Sequence, residues 1–164
     1  MKHRPVQKPG RSKQDYGTPP DFIAAVERRF GKLDWDLAAT AKNAKAPKFI
    51  TPKQDSLLTP WPTAGNLWLN PPFANIEPWA ARCAGWSLVG AESGARLLLL
   101  TPLSSANWVR DHVFPNASII ALNGRLTFEG ETTPYPKDCM LSLFGWPNVQ
   151  VPFEVWDWRR KRRC

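Results

Sequence analysis

The chain has 164 residues, 43% hydrophobic and 22% charged, with 22 lysines and arginines against 14 acids for a formal charge of +8. A chain of this size hides roughly 70% of its unfolded surface on folding, enough for one core without disulfides or metals, so wholesale disorder is excluded. Leu97 to Leu100, the longest aliphatic run, is far short of the ~20 residues of a membrane span, and three cysteines with two histidines make neither a zinc set nor a disulfide framework.

Residues 1–14 hold Lys2, Arg4, Lys8, Arg11 and Lys13 without an acid and read as a flexible basic arm. Residues 159–164 form a basic tail beginning with Arg159, Arg160, Lys161, Arg162 and Arg163, and residues 15–158 form a single domain. Between arm and tail stand 12 basic and 14 acidic groups, so the body itself is not a basic domain. The ends either neutralise phosphates of a polyanion or serve as solubilising extensions, and charge alone leaves both open. The N-terminus shows no apolar signal region, which places the protein in the cytoplasm with no membrane partner.

Thr18 is expected to cap a first helix, with Pro19 in its opening turn, Asp21 in capping-box position, and Phe22, Ala25, Val26, Arg29 and Phe30 at helical spacing up to Gly31. Leu33–Ala38 reads as a short strand carrying Asp34 and Asp36, with Asp34 solvated or beside Lys32; Lys48–Thr51 is a second strand candidate. Asn66–Leu69 is a strand that stops abruptly at Asn70-Pro71-Pro72-Phe73. Ile76, Trp79, Ala80 and Cys83 mark one face of a second helix, and Gly90–Gly94 reads as a loop. The continuous aliphatic run Arg96–Thr101 predicts a strand covered on both faces. A third helix starts at Ser104 or Ser105 and ends near Phe114 because Pro115 follows. Ser118–Leu122 and Cys139–Trp146 are two strands joined by Gly124–Asp138, and Val151, Phe153 and Val155 alternate in a last one. This alternation predicts a mainly parallel sheet sandwiched by helices, with antiparallel strands at the end. Ligands of such sheets sit beyond the carboxyl ends of the strands, where Asp36 and Asn70 fall.

The densest chemistry lies in Leu67-Trp68-Leu69-Asn70-Pro71-Pro72-Phe73. The Asn70 side-chain oxygen and the Pro71 carbonyl can accept two hydrogen bonds from an exocyclic amine, while Phe73 stacks on the ring that bears it. Two acceptors that draw the amine protons out of plane localise its lone pair and aim it. No metal is needed if the electrophile is already activated, and a sulfonium methyl donor fits, because positioning alone supplies up to ~7–11 kcal/mol. Pro-Pro by itself is an ordinary strand-to-helix turn with Phe73 in the core. A strand before it, Asn70 at its end and an aromatic after it favour the pocket.

Asn70-Pro71-Pro72-Phe73 resembles the Asn/Asp/Ser-Pro-Pro-aromatic motif of amino methyltransferases, which use S-adenosylmethionine. Further pieces resemble, in order, the small phage-type DNA N6-adenine methyltransferases of the Dam-like family. They are Tyr16-Gly17-Thr18-Pro19, Asp36-Leu37-Ala38-Ala39, Asn43-Ala44-Lys45, Asp55-Ser56-Leu57 with Trp61, and Gly124-Arg125-Leu126-Thr127-Phe128. The resemblance implies an α/β fold of the three-layer, Rossmann-like methyltransferase type with a mostly parallel seven-stranded sheet. It implies methyl transfer from S-adenosylmethionine to the N6 amine of adenine in DNA, in a phage or prophage context. It also implies a cofactor cleft lined by Tyr16, Thr18, Pro19, Asp36, Ala38 and Asp55. Asp36 suits an ammonium or ribose hydroxyls, or caps its loop; Asp55 meets the cofactor adenine amine, or makes an ordinary turn. The glycine-rich loop common after the first strand is absent from Asp36–Thr40, and Phe73 stands where tyrosine is commoner.

DNA contact falls to Arg125, Lys137, Arg159, Arg160 and Arg162, with a salt bridge to Glu129 or Glu131 as the alternative for Arg125. Trp156 and Trp158 either stack on bases or cap the core. The same pocket chemistry serves RNA-adenine and protein-glutamine methyltransferases, and an inactive nucleic-acid-binding module is the non-catalytic alternative.

Overall fold

A computed structural model describes residues 16–145 and 153–160. The expected arm, Trp146, Val151 and residues 161–164, Arg162 among them, lie outside the described residues.

Seven strands form one sheet: β1 (Trp35–Asp36), β2 (Lys48–Phe49), β3 (Asn66–Leu69), β4 (Arg96–Pro102), β5 (Ala117–Leu122), β6 (Cys139–Phe144) and β7 (Phe153–Trp156), ordered β2-β1-β3-β4-β6-β5-β7. Pairings β1–β2, β1–β3, β3–β4 and β5–β7 are parallel, while β6 runs antiparallel to both β4 and β5. The sheet is therefore mostly parallel. The expected antiparallel ending reduces to β6 alone, because a strand that follows β6 runs back in the direction of β5. With β4 already on the far side of β6, β7 joins at the free edge of β5.

Both faces of the sheet bury side chains. Leu98 and Leu100 of β4 pack with Phe22, Val26 and Phe30 of helix α1 (Pro20–Phe30). Leu97 and Leu99 pack with Ala80, Cys83 and Trp86 of helix α2 (Glu77–Ser93). Alternate side chains of a strand point to opposite faces, so a run of four leucines needs cover on both sides. At roughly 2 kcal/mol for each fully buried leucine, β4 anchors both cores.

Three expected elements differ. Thr18 does not cap α1: the cap position is Pro19 without any side-chain bond, and the Thr18 hydroxyl is taken by Asn70 instead. The expected Gly90–Gly94 loop is the last turn of α2, closed by Gly94 in the left-handed conformation at φ 73°. Gly90 is in the helix because the Trp86 ring lies over it; a Cβ there would stand 2.3 Å from that ring. The third helix is a short π-helical turn over Val109–Val113, with the Phe114 N–H bonding to the Val109 carbonyl at 2.8 Å. Asp34 is exposed, yet its carboxylate accepts from the Asn66 N–H at 2.8 Å and so fixes the start of β3.

Candidate active site

Asp36 ends β1 in register with Trp68 of the neighbouring parallel strand β3, and Asn70 follows two residues beyond Trp68. Both therefore emerge at the same edge of the sheet. Asn70 is held from one side: its Nδ2 donates to the Tyr16 carbonyl at 2.7 Å and to the Thr18 hydroxyl at 3.1 Å. With the amide nitrogen so engaged, Oδ1 is the group left to accept. Thr18 is 1% exposed, so this anchor is shielded from competing water.

Asn70 lines a cavity of about 260 Å³, together with Tyr16, Thr18, Asp36, Ala38, Asp55 and Pro72. Pro19, Pro71 and Phe73 do not line it. Pro19 and Pro71 are buried beside it. The Phe73 ring stands edge-to-face with Phe128 at 5.9 Å and with Tyr135 at 5.6 Å, and Tyr16 lies 5.2 Å from Phe128. The half-buried Tyr16, Phe73 and Tyr135 thus gather on Phe128 in one aromatic cluster next to Asn70.

Asp36 is 3% exposed, and burial pushes its carboxyl up to about 6. Two backbone donors resist that shift: the Ala38 N–H at 3.2 Å and the Lys45 N–H at 3.0 Å. A carboxylate poorly hydrated yet still ionised near neutral pH strongly favours a bound cation. Asp36 thus braces the β1–β2 loop and also lines the cavity.

Asp55 adopts φ 52°, the one positive value among the described non-glycine residues, and its Oδ1 accepts from the Leu57 N–H at 3.1 Å. A residue in this region costs on the order of 1 kcal/mol and persists only where its surroundings hold it. They do so through Arg82 of α2, which donates to the Leu57 carbonyl at 2.7 Å and to the Thr59 carbonyl, and lies 4.8 Å over the Trp61 ring. Trp61 in turn donates to the Ser56 carbonyl at 2.9 Å.

Lys45, Asn43, Thr40 and Trp79 also line the cavity, and sequence reasoning did not name them as site residues. The only signal was the tripeptide Asn43-Ala44-Lys45, whose partners are remote. Lys45 Nζ donates to Glu129 at 2.8 Å across 84 positions, and the Glu129 N–H donates to the Gly17 carbonyl at 2.9 Å.

The basic candidates lie along the edge where Asn70 emerges. Arg125 follows the carboxyl end of β5, Lys137 precedes β6, and Arg159 and Arg160 follow the carboxyl end of β7. Arg125 pairs with Asp138 at 3.5 Å, rather than with Glu129 or Glu131, and both partners are more than half exposed. Arg159 lies 4.8 Å over the Trp158 ring and donates to the Arg125 carbonyl, while Arg160 faces Asp157 at 3.9 Å. Trp158 caps the core: it is 5% exposed, 5.1 Å from Phe22, and its Nε1 donates to the Gly124 carbonyl. Lys137 is exposed.

Residues 6–140 match the family described as DNA N-6-adenine-methyltransferase (Dam). The chain belongs to this family. Two phage proteins that carry the same description are similar to it. The protein of Escherichia phage T1 is 26% identical over 131 residues, covering 79% of this chain and 53% of the relative. That of Haemophilus phage HP1 (strain HP1c1) is 32% identical over 120 residues, covering 69% and 67% respectively. The chain thus spans about half the length of the T1 relative. The Dam-family match contains the whole cavity lining, while Arg159 and Arg160 lie beyond it. Among the described residues, no group of three or more His, Cys, Asp or Glu could hold a metal, and no helix is long and apolar enough to cross a membrane.

Proposed function

We propose that this chain transfers a methyl group from S-adenosylmethionine to the N6 amine of adenine in DNA, on a three-layer, Rossmann-like methyltransferase fold. The observation that carries this reading is the Asn70 amide, fixed through its nitrogen to Tyr16 and Thr18 so that its oxygen is the acceptor at the cavity wall. The cavity, about 260 Å³ and open to one side, falls near the lower end of the ~300–1,000 Å³ range of ligand pockets. Its lining fits the donor's chemistry. Asp36 and Asp55 suit a ligand with cationic groups and an adenine amine, while Ile50, Pro52 and Trp79 offer apolar contact to a purine. When bound, that donor supplies a methyl carbon already activated by a sulfonium.

Asn70 Oδ1 and the Pro71 carbonyl accept hydrogen bonds from the two N–H groups of the adenine amine and turn its lone pair toward the cavity, and the methylated amine releases one proton to solvent. Phe73 offers a ring face to the base, braced edge-on by Phe128 and Tyr135. Each Asp36 oxygen accepts one backbone N–H, which fixes the carboxylate and leaves lone pairs for a ligand in the cavity. Its charge orients cationic groups in the cleft. In duplex DNA the adenine must leave the stack, at a cost of a few kcal/mol. Arg125, Lys137, Arg159 and Arg160 hold phosphates along the same edge, and Arg162 is a further phosphate contact of the tail. We read the protein as phage or prophage encoded and acting in the bacterial cytoplasm.

Incubation with methyl-labelled S-adenosylmethionine and DNA, followed by nucleoside mass spectrometry, should yield N6-methyladenine. Asn70→Ala should lower the rate by ~10²-fold or more, the usual cost of removing one preorganised acceptor or donor. Label in RNA or in protein glutamine would replace the acceptor, and an active Asn70→Ala enzyme would remove the catalytic assignment.

A further inference from the structure

Three charged residues line the cavity, two acids and one cation. Among the described residues, Lys45 is the one cation lining it, facing a space also walled by Asp36 and Asp55. Its position is fixed twice over: its backbone N–H donates to Asp36 Oδ2 at 3.0 Å, and its Nζ donates to Glu129 at 2.8 Å. The Lys45 side chain is 12% exposed. An ammonium carries three donors, and Glu129 takes one; the other two have no acceptor among the described residues. Two ammonium donors are therefore open to a ligand that enters the cavity.

The ammonium also sits at the reacting end of the cavity. Glu129 is tied through its N–H to the carbonyl of Gly17, and Gly17 lies between Tyr16 and Thr18, the two residues that hold Asn70. From the sulfonium of the methyl donor, the amino-acid arm is short and zwitterionic, and its carboxylate needs a cation close to the reacting centre. Asp36 and Asp55 repel that carboxylate.

We propose that Lys45 grips the carboxylate of the donor's amino-acid arm, and so sets which sulfonium compounds the site accepts. This rests on the reading of the cavity as the S-adenosylmethionine site. Glu129 then acts as a positioning residue that holds the Lys45 stem against the 16–18 segment.

Titration calorimetry with S-adenosylmethionine and with its decarboxylated analogue tests both levels separately. The wild-type protein should bind S-adenosylmethionine about tenfold more tightly than the analogue, the scale of one charge-assisted hydrogen bond. Lys45→Met should lose that preference while binding the analogue within about twofold of wild type, and Lys45→Arg should restore it. Glu129→Gln, which keeps the ammonium, should retain the preference. Equal weakening of both compounds in Lys45→Met would overturn the proposal and leave a purely structural clasp. A wild-type protein that binds neither compound would overturn the cofactor reading with it.

Discussion

Asp36 shows how a single buried group links fold and function. Its carboxyl is raised from 3.8 to about 6 by burial, against the pull of the Lys45 and Ala38 N–H groups and the Lys45 charge. A carboxyl that keeps its proton longer in the folded state favours folding most below its unfolded pKa. Its contribution falls as pH rises from 3.8 to about 6 and is constant above that. At ~1.4 kcal/mol per pKa unit, ionising Asp36 in place costs about 3 kcal/mol near neutral pH. Asp36→Asn should therefore flatten the part of the melting-temperature profile between about pH 4 and 6, as thermal unfolding across pH will show. An unchanged slope would mean that other carboxyls govern that window.

Helix α2 shows why local propensity is a poor guide within an element. Alanine forms helix better than glycine by about 1 kcal/mol, so Gly90→Ala would stabilise an isolated helix. Here a Cβ would meet three atoms of the Trp86 ring at 2.3–2.6 Å, and that ring cannot swing away freely because its Nε1 donates to the Pro62 carbonyl at 2.9 Å. Overpacking of this kind costs ~1–3 kcal/mol, enough to reverse the sign. Denaturant melts should place Gly90→Ala below wild type. A more stable variant would mean that Trp86 repacks without loss. The same helix supports the candidate site, since Arg82 bonds to the Leu57 and Thr59 carbonyls next to Asp55.

Among the described residues, the basic candidates for DNA contact lie outside the cavity wall. The cavity wall carries Asp36, Asp55 and a Lys45 paired to Glu129, whereas Arg125, Lys137, Arg159 and Arg160 lie along the sheet edge around it. Arg159 stacks on Trp158 and Arg160 faces Asp157, so these two are part of the folded body. Truncation after Arg160 removes Lys161, Arg162 and Arg163 and leaves those contacts intact. If the three cations neutralise phosphates, the slope of log affinity for DNA against log salt should fall by up to ~3. Fluorescence anisotropy at graded salt measures it; an identical slope would assign these residues to solubility.

Strand positions, the two main helices and the Asn70–Phe73 turn were legible in the sequence because each rests on neighbours in the chain: period, proline and an abrupt end to an apolar run. The family was legible too, from short pieces in a fixed order. Thr18 was misread as a cap because its hydroxyl is claimed by Asn70, 52 positions away, a competitor that local reading does not see. Gly90 reads as a loop when glycine is taken for a break, although Trp86 stands four positions earlier, the spacing at which helical side chains meet. Lys45 is not legible as a wall of the cavity because its partner Glu129 lies 84 positions away in the chain. The chain order by itself determined which segments bury and where the apolar strand gives way to the Asn70–Phe73 turn. Which polar atom holds which was decided only when strands distant in sequence were brought side by side, since a hydrogen bond depends on distance in space and not along the chain.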